Sequence, residues 1–124
     1  TILTRVMQMH KAGIYFGCLN PATIYIVSPK EVYLVDSDSW QMEGYPAVSR
    51  NRTFTPPELI KTGSKQAFFT PDHEYYQIAL LIFMIMMPGK FPYALRKSDS
   101  EEDSIAEKSF AFGIGGDMRR SRDA

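Results

Sequence analysis

The run His10-Lys11-Ala12-Gly13-Ile14-Tyr15-Phe16-Gly17-Cys18-Leu19-Asn20-Pro21-Ala22-Thr23-Ile24 joins a helical pattern to a strand pattern, and its reading decides the fold. Upstream of it, Leu3, Val6, Met7 and His10 fall on one helical face, and Gly13 stands where a helix is stopped. Downstream, Ile24 to Val27 and Val32 to Val35 read as two short strands. Ser28-Pro29-Lys30-Glu31 joins them, which predicts a hairpin. From Asp36 to Thr55 periodicity is lost and Gly, Pro, Ser and Arg accumulate, the marks of a long irregular loop. Loops of that length in compact domains are uncommon and usually functional. Pro56-Pro57-Glu58-Leu59-Ile60 then reads as a short helix started by proline.

Thr70 and Pro71 suit the N-cap and first position of a helix running to about Met87. Its last ten residues, Ile78 to Met87, are apolar on every side, which predicts burial all round. Pro88-Gly89 stops the helix, and Phe91-Pro92-Tyr93 continues as a packed turn. Beyond it, residues 94–124 read as an acidic connection with a short helix within Ser98 to Lys108, facing solvent. A frayed end from Arg119 to Ala124 closes the same domain. The Gly113-Ile114-Gly115-Gly116 run lacks a following Lys-Ser/Thr and reads as a connection, not a phosphate loop.

At 124 residues the chain has the size of one domain, and 44% hydrophobic residues supply a core. Lysine plus arginine equals aspartate plus glutamate at 14 each, with no basic stripe, so nucleic acid and acidic membranes are poor partners. The single Cys18 cannot form an internal disulfide, which suits a reducing, cytoplasmic setting. The ten-residue apolar run is too short to span a bilayer. The chain begins at Thr1 and opens inside a helical pattern, as a fragment of a larger protein would.

The stretch from His10 to Ile24 resembles the catalytic loop of protein kinases with its lead-in helix, whose pattern is H-R-D-L-x-x-x-N. Phe16 stands at the His place, Gly17 at the Arg place, Cys18 at the Asp place and Thr23 at the Asn place. Leu19 and Pro21 keep the framework. Val32-Tyr33-Leu34-Val35-Asp36-Ser37-Asp38 resembles the strand and D-F-G turn, with Asp36 at the magnesium-binding place. Pro56-Pro57-Glu58 resembles A-P-E. Thr70 to Tyr93 resembles the central helix and the turn after it, with Glu74 where the family carries an aspartate holding the catalytic loop. The wording Gly17-Cys18-Leu19-Asn20-Pro21, with Asp36-Ser37-Asp38-Ser39-Trp40 and Phe54-Thr55-Pro56-Pro57-Glu58-Leu59, is most similar to a bacterial kinase-like subgroup associated with helix-hairpin-helix segments.

The resemblance implies a mainly α fold with a small β-hairpin: the C-terminal lobe of a kinase-like α+β fold. Residues 1–93 form its core, without the N-lobe or the last C-lobe helices. It implies Mg and ATP as cofactors of the intact parent, with none held tightly here. The expected partners are the N-lobe, another protein, or a second copy of the chain through an exposed lobe interface. In the family Glu58 pairs with an arginine in the absent helices, so here it is either supplied with one by another segment or exposed.

The substitutions bear on the chemistry. Cys18, with a reference pKa of about 8.5, replaces a permanently charged aspartate. Loss of a general base typically costs about 10²–10⁴ in rate. Thr23 offers a neutral hydroxyl in place of a carbonyl ligand to magnesium. A pseudokinase is the expected function, with Asp36 left to hold one Mg. A divergent serine/threonine kinase is the alternative.

Each residue also has a plainer role. Cys18 reads as a small buried residue, Thr23 as the start of a strand, and Asp36 and Asp38 as turn residues. His10 and His73 read as core-edge and helix-start residues, without zinc spacing. Ser49, Thr53 and Thr55 lie beside Arg50 and Arg52, where a phosphate would order the loop.

Overall fold

A computed structural model describes residues 2–48, 51–62, 68–95, 100–112 and 116–122. Ser49, Arg50 and Gly113 to Gly115 lie outside the described residues. Among those described the order is α1 (Ile2–Lys11), β1 (Ile24–Ser28), β2 (Glu31–Leu34), α2 (Pro57–Lys61), α3 (Pro71–Met86) and α4 (Glu101–Ala106). Short 3₁₀ turns at Pro21–Thr23, Ser37–Ser39, Arg52–Phe54 and Met118–Arg120 punctuate the connections.

The helix, hairpin, long loop, short helix, long helix order is the one expected, and each element has a local cause. Asn20 caps the turn before β1, its side chain accepting from Ala22 N–H at 2.9 Å. The hairpin is antiparallel, pairing Ile24 with Leu34, Tyr25 with Tyr33 and Ile26 with Val32. A register shift lies between Ile26 and Ser28, beside the Pro29-Lys30 corner. Thr70 has extended backbone dihedrals before α3, and its N–H donates to His73 Nδ1 at 3.1 Å, so His73 satisfies an otherwise orphaned donor. Ser100 caps α4, accepting from Asp103 N–H at 3.1 Å.

The main core joins Val6 of α1, Phe16 and Leu19 of the following turn, Phe54, and Ile78, Leu80 and Leu81 of α3. Ala47, Leu59 and Phe69 form a smaller cluster with Tyr15 against it.

Four expectations need correction. On α1 the inward stripe is Ile2, Val6 and Met9, spaced four and three residues, while Leu3 and Met7 are exposed. The stripe runs one position off the predicted one because α3 meets α1 on the Val6–His10 side. The all-apolar end of α3 is not buried all round: Ile85 is 64% and Met86 76% exposed, because the elements described here cover only one side of it. The segment around α4 does not simply face solvent. Ser104 and Ile105 are buried and the helix packs on α2 and the Arg52–Phe54 turn, with Arg52 reaching Glu102 at 3.7 Å. Near the C-terminus Arg122 N–H donates to Ala94 O at 2.7 Å and Ser121 is buried, so this stretch is held, not frayed.

Candidate functional site

The site is built around a tight turn at residues 16–18. Cys18 N–H donates to Phe16 O at 2.7 Å, with Gly17 at φ +67° between them. Glycine is required twice over here: the dihedral is left-handed, and an added Cβ would lie 2.7 Å from Ala47 Cβ and 3.1 Å from Ser39 O. The turn is thus pressed against the long loop. Phe16 meets Trp40 edge-on, with ring centroids 5.0 Å apart.

Two polar side chains of α3 hold this turn from below. Glu74 Oε1 accepts from Gly17 N–H at 2.9 Å, and Glu74 Oε2 lies 2.5 Å from His10 Nε2 on α1. Gln77, one helical turn on, donates from Nε2 to Gly17 O at 3.3 Å and to Phe54 O at 3.1 Å. Both side chains are fully buried. Burial pushes the Glu74 carboxyl above its usual value, while bonds from His10, Gly17 and Phe16 pull the other way without cancelling it. The His10 ring packs on Tyr15 and Tyr75, with centroids 5.0 and 5.6 Å away. Gln41 makes a second tie: Phe69 N–H donates to its Oε1 at 2.6 Å, and its Nε2 donates to Phe69 O at 2.9 Å.

A chain of bonds links four of the five residues singled out in the sequence. Glu74 holds Gly17, next to Cys18. The Thr23 hydroxyl lies 3.4 Å from Cys18 O, and Val35 N–H, beside Asp36, donates to Thr23 O at 3.0 Å. Cys18 is half-buried, more open than a small core residue would be, and the Asn20 side chain reaches its carbonyl at 2.7 Å. Asp36 is exposed and left-handed, at φ +68°, ψ +52°; its carbonyl accepts from the Ser39 hydroxyl at 3.0 Å. Glu58 stands outside this group, exposed in the first turn of α2. Thr53 bonds to Asn51, and Thr55 is buried with its hydroxyl donating to Asn51 O at 2.7 Å, so Thr55 offers nothing to a modifying enzyme.

Gln77 and Gln41 were not singled out in the sequence. Gln77 carried a signal, since Glu74 and Gln77 are polar residues three apart on a helix that is otherwise apolar beyond them. Gln41 carried none, lying in a loop without period.

The Thr23 hydroxyl accepts from Asn20 N–H at 3.2 Å and sits 3.0 Å from Asn20 O, so the turn already uses it. No group of three or more His, Cys, Asp and Glu side chains among the described residues could hold an ion. Of the two expected ligands, Asp36 keeps an exposed carboxylate, while the Thr23 hydroxyl is occupied within the turn. Among the described residues no helix is long and apolar enough to cross a membrane.

No protein-family model matches the chain. It is 32% identical, over an alignment of 98 positions that covers 75% of this chain, to Protein kinase YegI of Escherichia coli O157:H7 and of strain K12. It spans 15% of the length of those relatives. Its fold matches the structure of the Cydia pomonella granulovirus kinase PK-1 with a TM-score of 0.66 at 13% identity, covering 91% of this chain and 40% of that one.

Proposed function

From a chain that is protein-kinase-like in sequence and fold, we propose a pseudokinase with a regulatory or scaffolding role and at most weak nucleotide binding. The observation that carries this reading is the state of the 16–23 turn. Cys18 brings no permanent charge to the place of the base, and the Thr23 hydroxyl is spent inside the turn. The turn is nevertheless firmly built, held by Glu74 and Gln77 from α3. A scaffold kept without its chemistry suits a domain that works by being recognised. Placement in the helix-hairpin-helix-associated bacterial subgroup, and in the cytoplasm, belongs to the same proposal. So do its partners: an N-lobe or another protein laid over the exposed apolar faces.

A second reading, part of a divergent ATP-dependent serine/threonine kinase, is favoured by Asp36, which keeps an exposed carboxylate beside the turn, and by the kinase designation of the Escherichia coli relatives. Calorimetric titration of Mg·ATP into the longest soluble form of the parent, beside an Asp36→Ala variant, separates the two. The pseudokinase reading expects a dissociation constant of about 1 mM or weaker, about 4 kcal/mol of binding. Micromolar binding abolished by Asp36→Ala, followed by phosphorylation in a kinase assay, would overturn it.

A further inference from the structure

A carboxyl and an imidazole meet in the interior where α1 and α3 approach the 16–18 turn. Glu74 is fully buried and the His10 side chain is 9% exposed, with Nε2 2.5 Å from Glu74 Oε2. At that distance, out of water, the two groups bind protons as one unit. With one proton between them, as imidazolium and carboxylate or as imidazole and acid, the pair is neutral. Without it the interior holds an uncompensated negative charge, a costly state. The Gly17 and Phe16 amides donate toward Glu74 but bring no net charge to offset it. The titratable groups facing the pair are Tyr15, after α1, and Tyr75 on α3, whose rings pack on His10. Lys11, next to His10, is exposed, and the Cys18 sulfur lies 3.5 Å from Asn20 Nδ2. His10 Nδ1 is buried without a partner among the described residues, so no outside group fixes the proton on the ring or relays it away. The same carboxyl accepts from Gly17 N–H, and Gln77, one turn along α3, holds Gly17 O. The charge of the pair therefore bears on both peptide groups of Gly17.

We propose that the Glu74–His10 pair is a one-proton latch on this turn. Holding the proton, it keeps α1 and the Phe16–Cys18 turn closed on α3; releasing it lets them open locally, so that water reaches the carboxylate. Burial pushes the Glu74 carboxyl up, which sets the sign. The closed state keeps its proton to higher pH than the open one, so closure is complete at low pH and weakens as pH rises through the closed-state value. The latch uses none of the residues of phosphoryl transfer and serves a pseudokinase or a kinase alike.

The test is hydrogen exchange of the turn's amides in the longest soluble form of the protein, followed from about pH 5 to pH 9 and corrected for the intrinsic base-catalysed rate. The opening equilibrium at Gly17 is expected to rise with pH by up to about tenfold per unit, the slope of one proton released, and then to level off. Amides of the β1–β2 hairpin are expected to show no such slope. Glu74→Gln, which keeps an acceptor for Gly17 and carries no charge, is expected to make opening at the turn independent of pH. In wild-type protein the His10 ring-carbon resonance is expected to move over the same pH range as the exchange, which decides the matter even where the variant does not fold. A flat profile at Gly17, or an equal slope in the hairpin, would overturn the proposal. So would a slope that survives in Glu74→Gln, or a ring resonance that moves over a different range.

Discussion

Glu74 has no contact with water, yet two other elements depend on its oxygens: the Gly17 amide on one and the His10 imidazole on the other. Replacing it with alanine leaves a buried donor and an imidazole without their acceptor, and is expected to cost about 3 kcal/mol in urea denaturation. The pH dependence has a definite sign. Burial raises the carboxyl's folded value above its ordinary 4.5, so the folded state holds the proton more tightly than the unfolded one. The contribution of Glu74 is therefore complete below about pH 4.5 and is lost as pH rises through the raised folded value. Glu74→Gln, which keeps an acceptor for Gly17, is expected to flatten that slope. A slope unchanged in the variant would assign it to another group.

At the scale of elements, α3 matters more for the two carbonyls it gathers than for its apolar length. Gln77 takes Gly17 O and Phe54 O together, joining the turn after α1 to the end of the long loop. Gln77→Leu keeps the volume and removes both bonds, with an expected cost of about 1–2 kcal/mol. Hydrogen exchange should quicken around residues 52–56 while the hairpin is unaffected; uniform quickening would mean that the coupling is not local.

The elements themselves were legible from period and punctuation: Gly13, the Ser28-Pro29-Lys30-Glu31 corner and Thr70-Pro71 each mark a boundary that the structure respects to within a residue or two. What was not legible was sidedness. Leu3 and Met7 share a helical face with Val6, but only α3's position decides that Ile2, Val6 and Met9 turn inward. Ile105 looked solvent-facing in an acidic segment, yet it is fully buried, because three neighbouring acids say nothing about where α2 lies. The Cys18–Thr23 turn was visible as a motif, whereas the fact that Thr23's hydroxyl is used up within it is a matter of ångströms.

Taken whole, the molecule is covered unevenly. Ile82, Ile85 and Met86 on α3, and Ile26 and Val27 on the hairpin, are large apolar side chains open to water. Surfaces of that kind recruit protein. The isolated 124-residue chain is expected to show a mass that rises with concentration in light scattering. A double substitution, Ile85→Lys with Met86→Lys, is expected to weaken the association at least about tenfold. A monomer at all concentrations would leave these faces without a role in self-association.

The two-way grip of Gln41 on Phe69 works like the drawstring of a purse. What lies between them is gathered at its neck by one side chain and the backbone of one residue, and its buried members Ala47, Phe54 and Leu59 are stitched to the core besides, so it is the exposed stretch from Met42 to Tyr45 that can be lengthened or rewritten without loosening the bag. Closure entropy grows only slowly with the length enclosed. Mutation can therefore explore that exposed stretch freely, and the knot that permits such drift is a glutamine that no motif would have drawn attention to.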